Sequence, residues 1–207
     1  MSGGHYYEGA FYGLVMEPLQ RGLHELMARQ IAPGERVLDA GSGAGGLALR
    51  MAAQAREVVG VDHAPAMVAY AERRRARAAV ANVSFVAGDA ASALAARPDG
   101  DFDVATLVLA LHEMPAAVRG PVLRELCRLA TRVVCLDFRV PMPRNFAGLR
   151  NRFFEVAAGR QHFRAFRDFT GRGGVPGIAE AAGLRWEHQR DVDAGSLTLV
   201  TLTRGAA

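Results

Sequence analysis

Val37-Leu38-Asp39-Ala40-Gly41-Ser42-Gly43-Ala44-Gly45-Gly46 decides the fold of this chain. An apolar run ends in an acid, three glycines follow at alternate positions, and a helix-like apolar segment, Leu47 to Ala53, comes next. A strand that turns sharply into a helix needs glycine at the turn. There the backbone takes conformations a side chain forbids, and a ligand can come close. The acid narrows the choice of ligand. A dinucleotide site leaves room for a pyrophosphate on the helix N-terminus, and Asp39 would put a negative charge beside it. A ligand that brings an ammonium group suits the position better.

Outward from this turn, apolar β-type runs alternate with amphipathic helical patterns, the signature of a mostly parallel sheet with helices on both faces. The strands are expected at Arg36–Gly41, Glu57–Asp62, Val83–Asp89, Phe102–Leu109 and Arg132–Phe138. Helices are expected between them at Gly45–Gln54, Ala64–Ala78, Ala90–Ala96 and Pro115–Ala130, with Pro65 and Pro115 where a first helical turn tolerates proline. Leu184–Asp191 and Ser196–Arg204 are two strand-like runs joined by Asp193-Ala194-Gly195, a hairpin that adds antiparallel strands. The fold class is therefore α/β, a seven-stranded Rossmann-like sheet with an antiparallel C-terminal strand, built as a single domain over residues 1–207.

Two segments lie outside the alternation. Residues 1–30 carry Tyr6, Tyr7, Phe11 and Tyr12, then a helical pattern from about Glu17. Residues 141–174 are too long for a plain connection, since loops above about 12–15 residues are usually functional or disordered. This segment is rich in aromatics, Phe146, Phe153, Phe154, Phe163, Phe166 and Phe169. Leu149, Phe153 and Val156 recur at helical spacing, so at least one helix is expected here, ending near Gly159.

The 25 basic residues are all arginine, and with so much alanine and glycine they read as a coding bias. The net charge of +4 is therefore weak support for a nucleic-acid partner, and none is expected. No apolar run approaches the roughly 20 residues of a membrane span, and Met1 to Glu8 lacks the pattern of a secretion signal. Cys127 and Cys135 are too few for a disulfide framework. Both fit buried, inert positions, and a cytoplasmic setting is expected. Between Arg144 and Arg172, seven arginines face only Glu155 and Asp168. That local excess either steers an anionic substrate or membrane surface or is more of the same bias. Arg73, Arg74, Arg75 and Arg77 read as a solvated helix face.

Asp39-x-Gly41-x-Gly43-x-Gly45 resembles the first motif of class I S-adenosylmethionine-dependent methyltransferases. Asp62 closes the second strand 17 residues after Gly45, where that family's acid holds both ribose hydroxyls. Gly88-Asp89-Ala90 follows the third strand, where the family's adenine-contacting acid sits, and Asp101-Phe102-Asp103-Val104 leads into the fourth. The resemblance spans residues 30–140 and recurs in the last two strands. Within the superfamily the chain is similar to small methyltransferases related to the ubiquinone/menaquinone C-methyltransferases. Those carry an N-terminal helical lid and a cap after strand five, here residues 1–30 and 141–174. Leu109-Ala110-Leu111-His112-Glu113-Met114-Pro115 and Gln161-His162-Phe163 resemble one group of these. The Asn/Asp-Pro-Pro-aromatic motif of amine and amide methylation is absent, because the place after strand four reads Ala110-Leu111-His112-Glu113.

The resemblance implies cofactor contacts at Asp39, Gly41, Ser42, Gly43 and Gly45, around the methionine ammonium. It implies Asp62 at the ribose, His63, Met67, Asp89 and Ala90 at the adenine, and Leu109 beyond strand four. Each position has a plainer reading. Asp39 and Asp89 can cap the helices that follow, and the glycines can be turn formers. Asp62 can be a surface acid, and His63 and Met67 can be helix packing. His112 follows strand four and is either a general base, its pKa being near neutrality, or a cap of the Pro115 helix. Glu113 can cap that helix as well. His162 is either a substrate contact or structural. Tyr6, Tyr7 and Tyr12 either close over the sulfonium or staple a helix. No metal-ligand set is expected.

The expected activity is methyl transfer from S-adenosylmethionine, leaving S-adenosylhomocysteine, to a small apolar or aromatic acceptor. Alignment of two bound reactants can supply about 7–11 kcal/mol, so a base is needed only where the acceptor must lose a proton. Two rivals stand beside it: an NAD(P)-dependent oxidoreductase on a similar sheet, and a non-catalytic S-adenosylmethionine-binding protein.

Overall fold

Runs such as Val37-Leu38 and Val58-Val59 have no polar alternation because their strands are covered on both faces. In the computed structural model, which describes residues 20–157 and 159–205, both pairs are buried in strands β1 (Arg36–Ala40) and β2 (Glu57–Asp62). These strands pair in parallel with Val37 opposite Val58, and β2 pairs in parallel with β3 (Val83–Ala87). With β4 (Phe102–Val108), β5 (Ala130–Phe138), β6 (Leu184–Val192) and β7 (Leu197–Arg204), they make a seven-stranded sheet in the order β3-β2-β1-β4-β5-β7-β6. β7 runs antiparallel to both β5 and β6. The expected α/β class and antiparallel end are both present. The expected strands and helices up to Phe138 recur with ends moved by one to three residues.

The helices are α1 (20–28), α2 (Gly46–Met51), α3 (Pro65–Arg77), α4 (Ala90–Ala93), α5 (Ala116–Leu129), α6 (Phe146–Ala157), α7 (Arg160–Gly171) and α8 (Gly174–Ala181). The aromatic lid residues Tyr6, Tyr7, Phe11 and Tyr12 lie outside the described residues, as does the side chain of Phe154. The segment 141–174 contains two helices, α6 and α7, where at least one was expected. Gly159, at a φ of 110°, parts them. The second, α7, buries Phe166 and Phe169 and turns Arg164 and Arg167 outward. α8 was not anticipated and buries Val175, Ile178 and Ala179.

Contacts group the chain into two compact units. One runs to Thr106 and includes Leu129–Thr131; the other is Leu107–Arg128 together with the chain from Arg132. In the first, the acids that lead into β4 anchor β1. Arg36 pairs with Asp101 at 2.5 Å and Glu57 at 2.9 Å, and its backbone N–H donates to Asp103 at 2.7 Å. In the second, Asp193, Ala194 and Gly195 all take positive φ (50°, 53° and 80°) to turn β6 into β7. The edge strand β6 exposes a row of charged residues, which discourages pairing with other chains.

Candidate active site

In the first unit the backbone of the glycine turn is sewn to β2. Gly41 and Ser42 both donate N–H to the Val61 carbonyl, at 2.8 and 3.0 Å. Gly41, Gly43 and Gly45 have φ of 72°, 50° and 78°, where side chains are strained. Two of the three do different work. A Cβ on Gly45 would lie 2.6 Å from the Phe85 ring and 2.9 Å from Ala71, so this glycine lets helix and strand pack. A Cβ on Gly43 would meet no atom within 4 Å, so the space above this residue is open.

Asp39 is buried at the end of β1, where its Oδ1 accepts the Thr106 hydroxyl at 2.8 Å. Its Oδ2 and the Ser42 hydroxyl are both buried without a hydrogen-bond partner among the described residues. Burial raises the Asp39 carboxyl to about 7, against the Thr106 hydrogen bond and helped by the nearby Asp62 charge. No helix-capping bond is made by Asp39; α2 is entered through Gly45 in the left-handed conformation.

Asp62 is a brace. Its Oδ2 accepts the Gly43 N–H at 2.8 Å and its Oδ1 the Ala64 N–H at 2.9 Å, joining the glycine turn to the start of α3. Each oxygen keeps a further lone pair. His63 is exposed, and Met67 is buried within the unit. Asp89 caps α4, accepting from the Ser92 N–H at 3.4 Å and lying 2.5 Å from its hydroxyl, with Ala90 buried beside it. Arg74, expected on a solvated face, donates to the Ala44 carbonyl at 2.9 Å and so supports the turn.

In the second unit, Leu109 takes a φ of 49° and donates to the Leu136 carbonyl at 2.8 Å, which ends β4. The chain then delivers His112, a buried residue, to Asp137 on β5. His112 Nδ1 is 2.7 Å from Asp137 Oδ1, and the His112 backbone N–H donates to Oδ2 at 3.2 Å. Asp137 therefore holds the ring in the tautomer that leaves Nε2 facing Glu155 at 3.7 Å and Glu113 at 3.8 Å. His162 from α7 comes within 2.8 Å of the other Glu155 oxygen. Burial works against charge on His112, but Asp137, with Glu113 and Glu155, outweighs it and raises the ring to about 9. The carboxylates around it thus favour the protonated ring, which donates at Nε2.

Three residues here had no assigned role in the sequence. Asp137 is a fully buried acid within an apolar strand, and that mismatch was the available signal. Glu155, counted only as charge, is buried at 6% exposure. Arg119, 1% exposed, donates to the carbonyls of Leu111, His112, Met114 and Ala165 and pairs with Asp168 at 2.7 Å. It fixes the turn that carries His112. The same unit has a cleft of about 540 Å³ walled by Val140, Met142, Phe163 and Phe166, with Arg144, Arg152 and Arg167 at its margin. Cys127 and Cys135 are buried, and burial pushes both thiols up, Cys127 to about 11.

A parallel sheet with an antiparallel end, an acid and open glycine at its first strand turn, and a second acid ending β2 define one class of protein. Residues 37–145 match the family described as methyltransferase domain. The chain belongs to that family and is an S-adenosylmethionine-dependent methyltransferase of class I. It is 29% identical to a demethylmenaquinone methyltransferase of Beutenbergia cavernae, over 91% of this chain and 84% of that protein. It is 38% identical to the demethylmenaquinone methyltransferase of Thermus thermophilus, over 62% of this chain and 57% of the relative. The fold is shared with a SAM-dependent methyltransferase from Aquifex aeolicus, at 19% identity and a TM-score of 0.66, covering 95% and 98% of the two chains.

Proposed function

We propose that the glycine turn binds S-adenosylmethionine and that residues 107–205 receive a small apolar or aromatic acceptor, to which the methyl group passes. The observation that carries the first half is the buried, unpartnered Asp39 Oδ2 beside the open space at Gly43. A buried carboxylate oxygen without a partner is costly, and the donor's ammonium supplies one. Gly41, Ser42, Gly43 and Gly45 offer backbone to the methionine part. The remaining lone pairs of Asp62 suit a ribose diol, while His63, Met67, Asp89 and Ala90 are assigned to the adenine and Leu109 to the far side.

The acceptor half rests on the cleft by Phe163 and Phe166 and on the names of the relatives, which point to a quinone-like aromatic ring. Residues 1–30 and 141–174 are assigned as lid and cap. When bound, the donor's sulfonium supplies an electrophilic methyl group. The protein's part is to exclude water, align the acceptor with the methyl–sulfur bond, and hold the acceptor's polar atom with His112. A cytoplasmic location is part of the same reading; no helix among the described residues is long and apolar enough to cross a membrane.

Calorimetric titration with S-adenosylhomocysteine and with NADH tests the donor assignment. The expected result is binding of the first and none of the second. Asp62→Ala should weaken S-adenosylhomocysteine about tenfold to a hundredfold, the range for hydrogen bonds to a charged group. Binding of NADH alone overturns the reading.

A further inference from the structure

We propose that His112, Glu113 and His162 bind a divalent transition-metal ion, with the buried Glu155 beside the site. One nitrogen from each histidine and one oxygen from Glu113 lie within 4.8 Å of one another. Glu113 Oε1 is 3.8 Å from His112 Nε2 and 4.0 Å from His162 Nε2. A tetrahedral ion with bonds of about 2.0–2.1 Å separates its ligand atoms by about 3.3 Å. The Glu113 oxygen therefore has to approach the two ring nitrogens by about 0.5–0.7 Å, and the nitrogens, within 4.8 Å of each other, have to close to the same spacing.

The support behind the cluster is that of a metal site. Ligating histidines usually donate their other ring N–H to a carboxylate, which fixes ring and tautomer. His112 does this with Asp137 at 2.7 Å. The same geometry also suits a set of plain ion pairs, and two observations weigh against that. Glu155 is 6% exposed, and its Oε2 makes no hydrogen bond despite the His162 nitrogen 2.8 Å away. His112 Nε2 also faces Glu155 at 3.7 Å and Glu113 at 3.8 Å, and neither is a hydrogen-bond distance, so these donor atoms stand around a gap rather than in contact.

Two imidazoles with carboxylate suit zinc or another first-row divalent ion better than magnesium or calcium. The site is closed on the His112 side and open on the Glu113 side, where the side chains are 4% and 41% exposed. Three protein ligands leave a tetrahedral ion one position for water or an acceptor oxygen. That use of the ion rests on the proposed methyl transfer; the binding of the ion does not.

The test is titration of the chelator-stripped full chain with Zn²⁺, followed by the visible spectrum of the Co²⁺ form. One ion per chain and a tetrahedral cobalt spectrum are expected. His162→Ala and the more exposed Glu113→Gln should each weaken zinc at least tenfold with the fold retained by circular dichroism. Asp137→Asn should weaken it by about 10–100-fold, as removal of such outer partners does, and His188→Ala on β6 should leave it unchanged. No zinc binding, or binding that neither His162→Ala nor Glu113→Gln weakens, overturns the proposal. S-adenosylhomocysteine titrated into the same samples separates the two readings: its binding without zinc sinks the metal site alone, and zinc without it sinks the donor assignment alone.

Discussion

The glycine turn and the histidine cluster each prepare a buried polar place, one from backbone and one from side chains. At the turn, Gly41, Ser42 and Gly43 are fixed by N–H bonds to Val61 and Asp62, so the shape survives with few side chains. At the cluster, five side chains converge from the β4–α5 junction, β5, α6 and α7, and nothing in the local backbone obliges them to meet. Both places keep buried oxygens unbonded, Asp39 Oδ2 and the Ser42 hydroxyl in one, Glu155 Oε2 in the other. Backbone sites draw their precision from the sheet. Side-chain sites need a separate clamp, which here is Arg119.

Arg119 is thus where the contrast breaks most easily. Arg119→Ala removes a buried cation and its hydrogen bonds to the carbonyls of Leu111, Met114 and Ala165. Asp168 is 38% exposed and keeps Arg172, so the cost is that of the lost charge-assisted hydrogen bonds, about 3 kcal/mol, which for a chain of this size lowers the melting temperature by on the order of 10 °C. The cluster should loosen while S-adenosylhomocysteine still binds below the melt. Loss of that binding with an unchanged melting temperature would show that the turn, too, depends on the clamp.

The same contrast explains what could be read from the sequence. The turn is ten consecutive residues, and its strand-turn-helix pattern, like the position of Asp62, follows from short-range rules. The sheet was legible for that reason as well. His112 could be singled out, but its partner Asp137 is 25 positions away and Glu155 and His162 are further. Only the fold brings them together. α7 was not placed separately because its apolar residues are few and spaced among arginines, and only the fold shows Phe166 and Phe169 in the core. Asp62 was read as a ribose acid, and its bracing of Gly43 and Ala64 could not be foreseen from spacing.

Within the turn, a matched pair of substitutions sharpens the division of labour. Gly43→Ala adds a methyl group to open space at a φ of 50°. It should cost about 1–2 kcal/mol of stability from backbone strain. It should also lower S-adenosylhomocysteine affinity about a hundredfold, or about 2.8 kcal/mol. Gly45→Ala sets its methyl group 2.6 Å from the Phe85 ring. Overpacking and strain together should cost about 2 kcal/mol of stability, with a smaller loss of affinity. Calorimetry and denaturant unfolding on both variants decide it, and the reverse pattern would move the ligand from Gly43 to Gly45.

The smallest effect expected is a proton. Burial, with the Asp62 charge, holds the Asp39 carboxyl at about 7 in the folded chain, against an ordinary 3.8. Between those values folding takes up a proton, so stability is greatest on the acid side and falls as pH rises toward the folded value. From pH 6 to pH 8 the loss through this one group is about 1.4 kcal/mol. Asp39→Asn cannot titrate, so the wild-type-minus-variant difference in unfolding free energy should carry that slope even though other groups titrate in both. Saturating S-adenosylhomocysteine should flatten the slope, because its ammonium favours the carboxylate. The histidine cluster has no part in that difference, which makes the slope a readout of the glycine turn alone. Parallel pH profiles for the two proteins would mean that Asp39 titrates as an ordinary acid in the free chain, its carboxylate already satisfied without the donor, and its Oδ2 would no longer point to an ammonium.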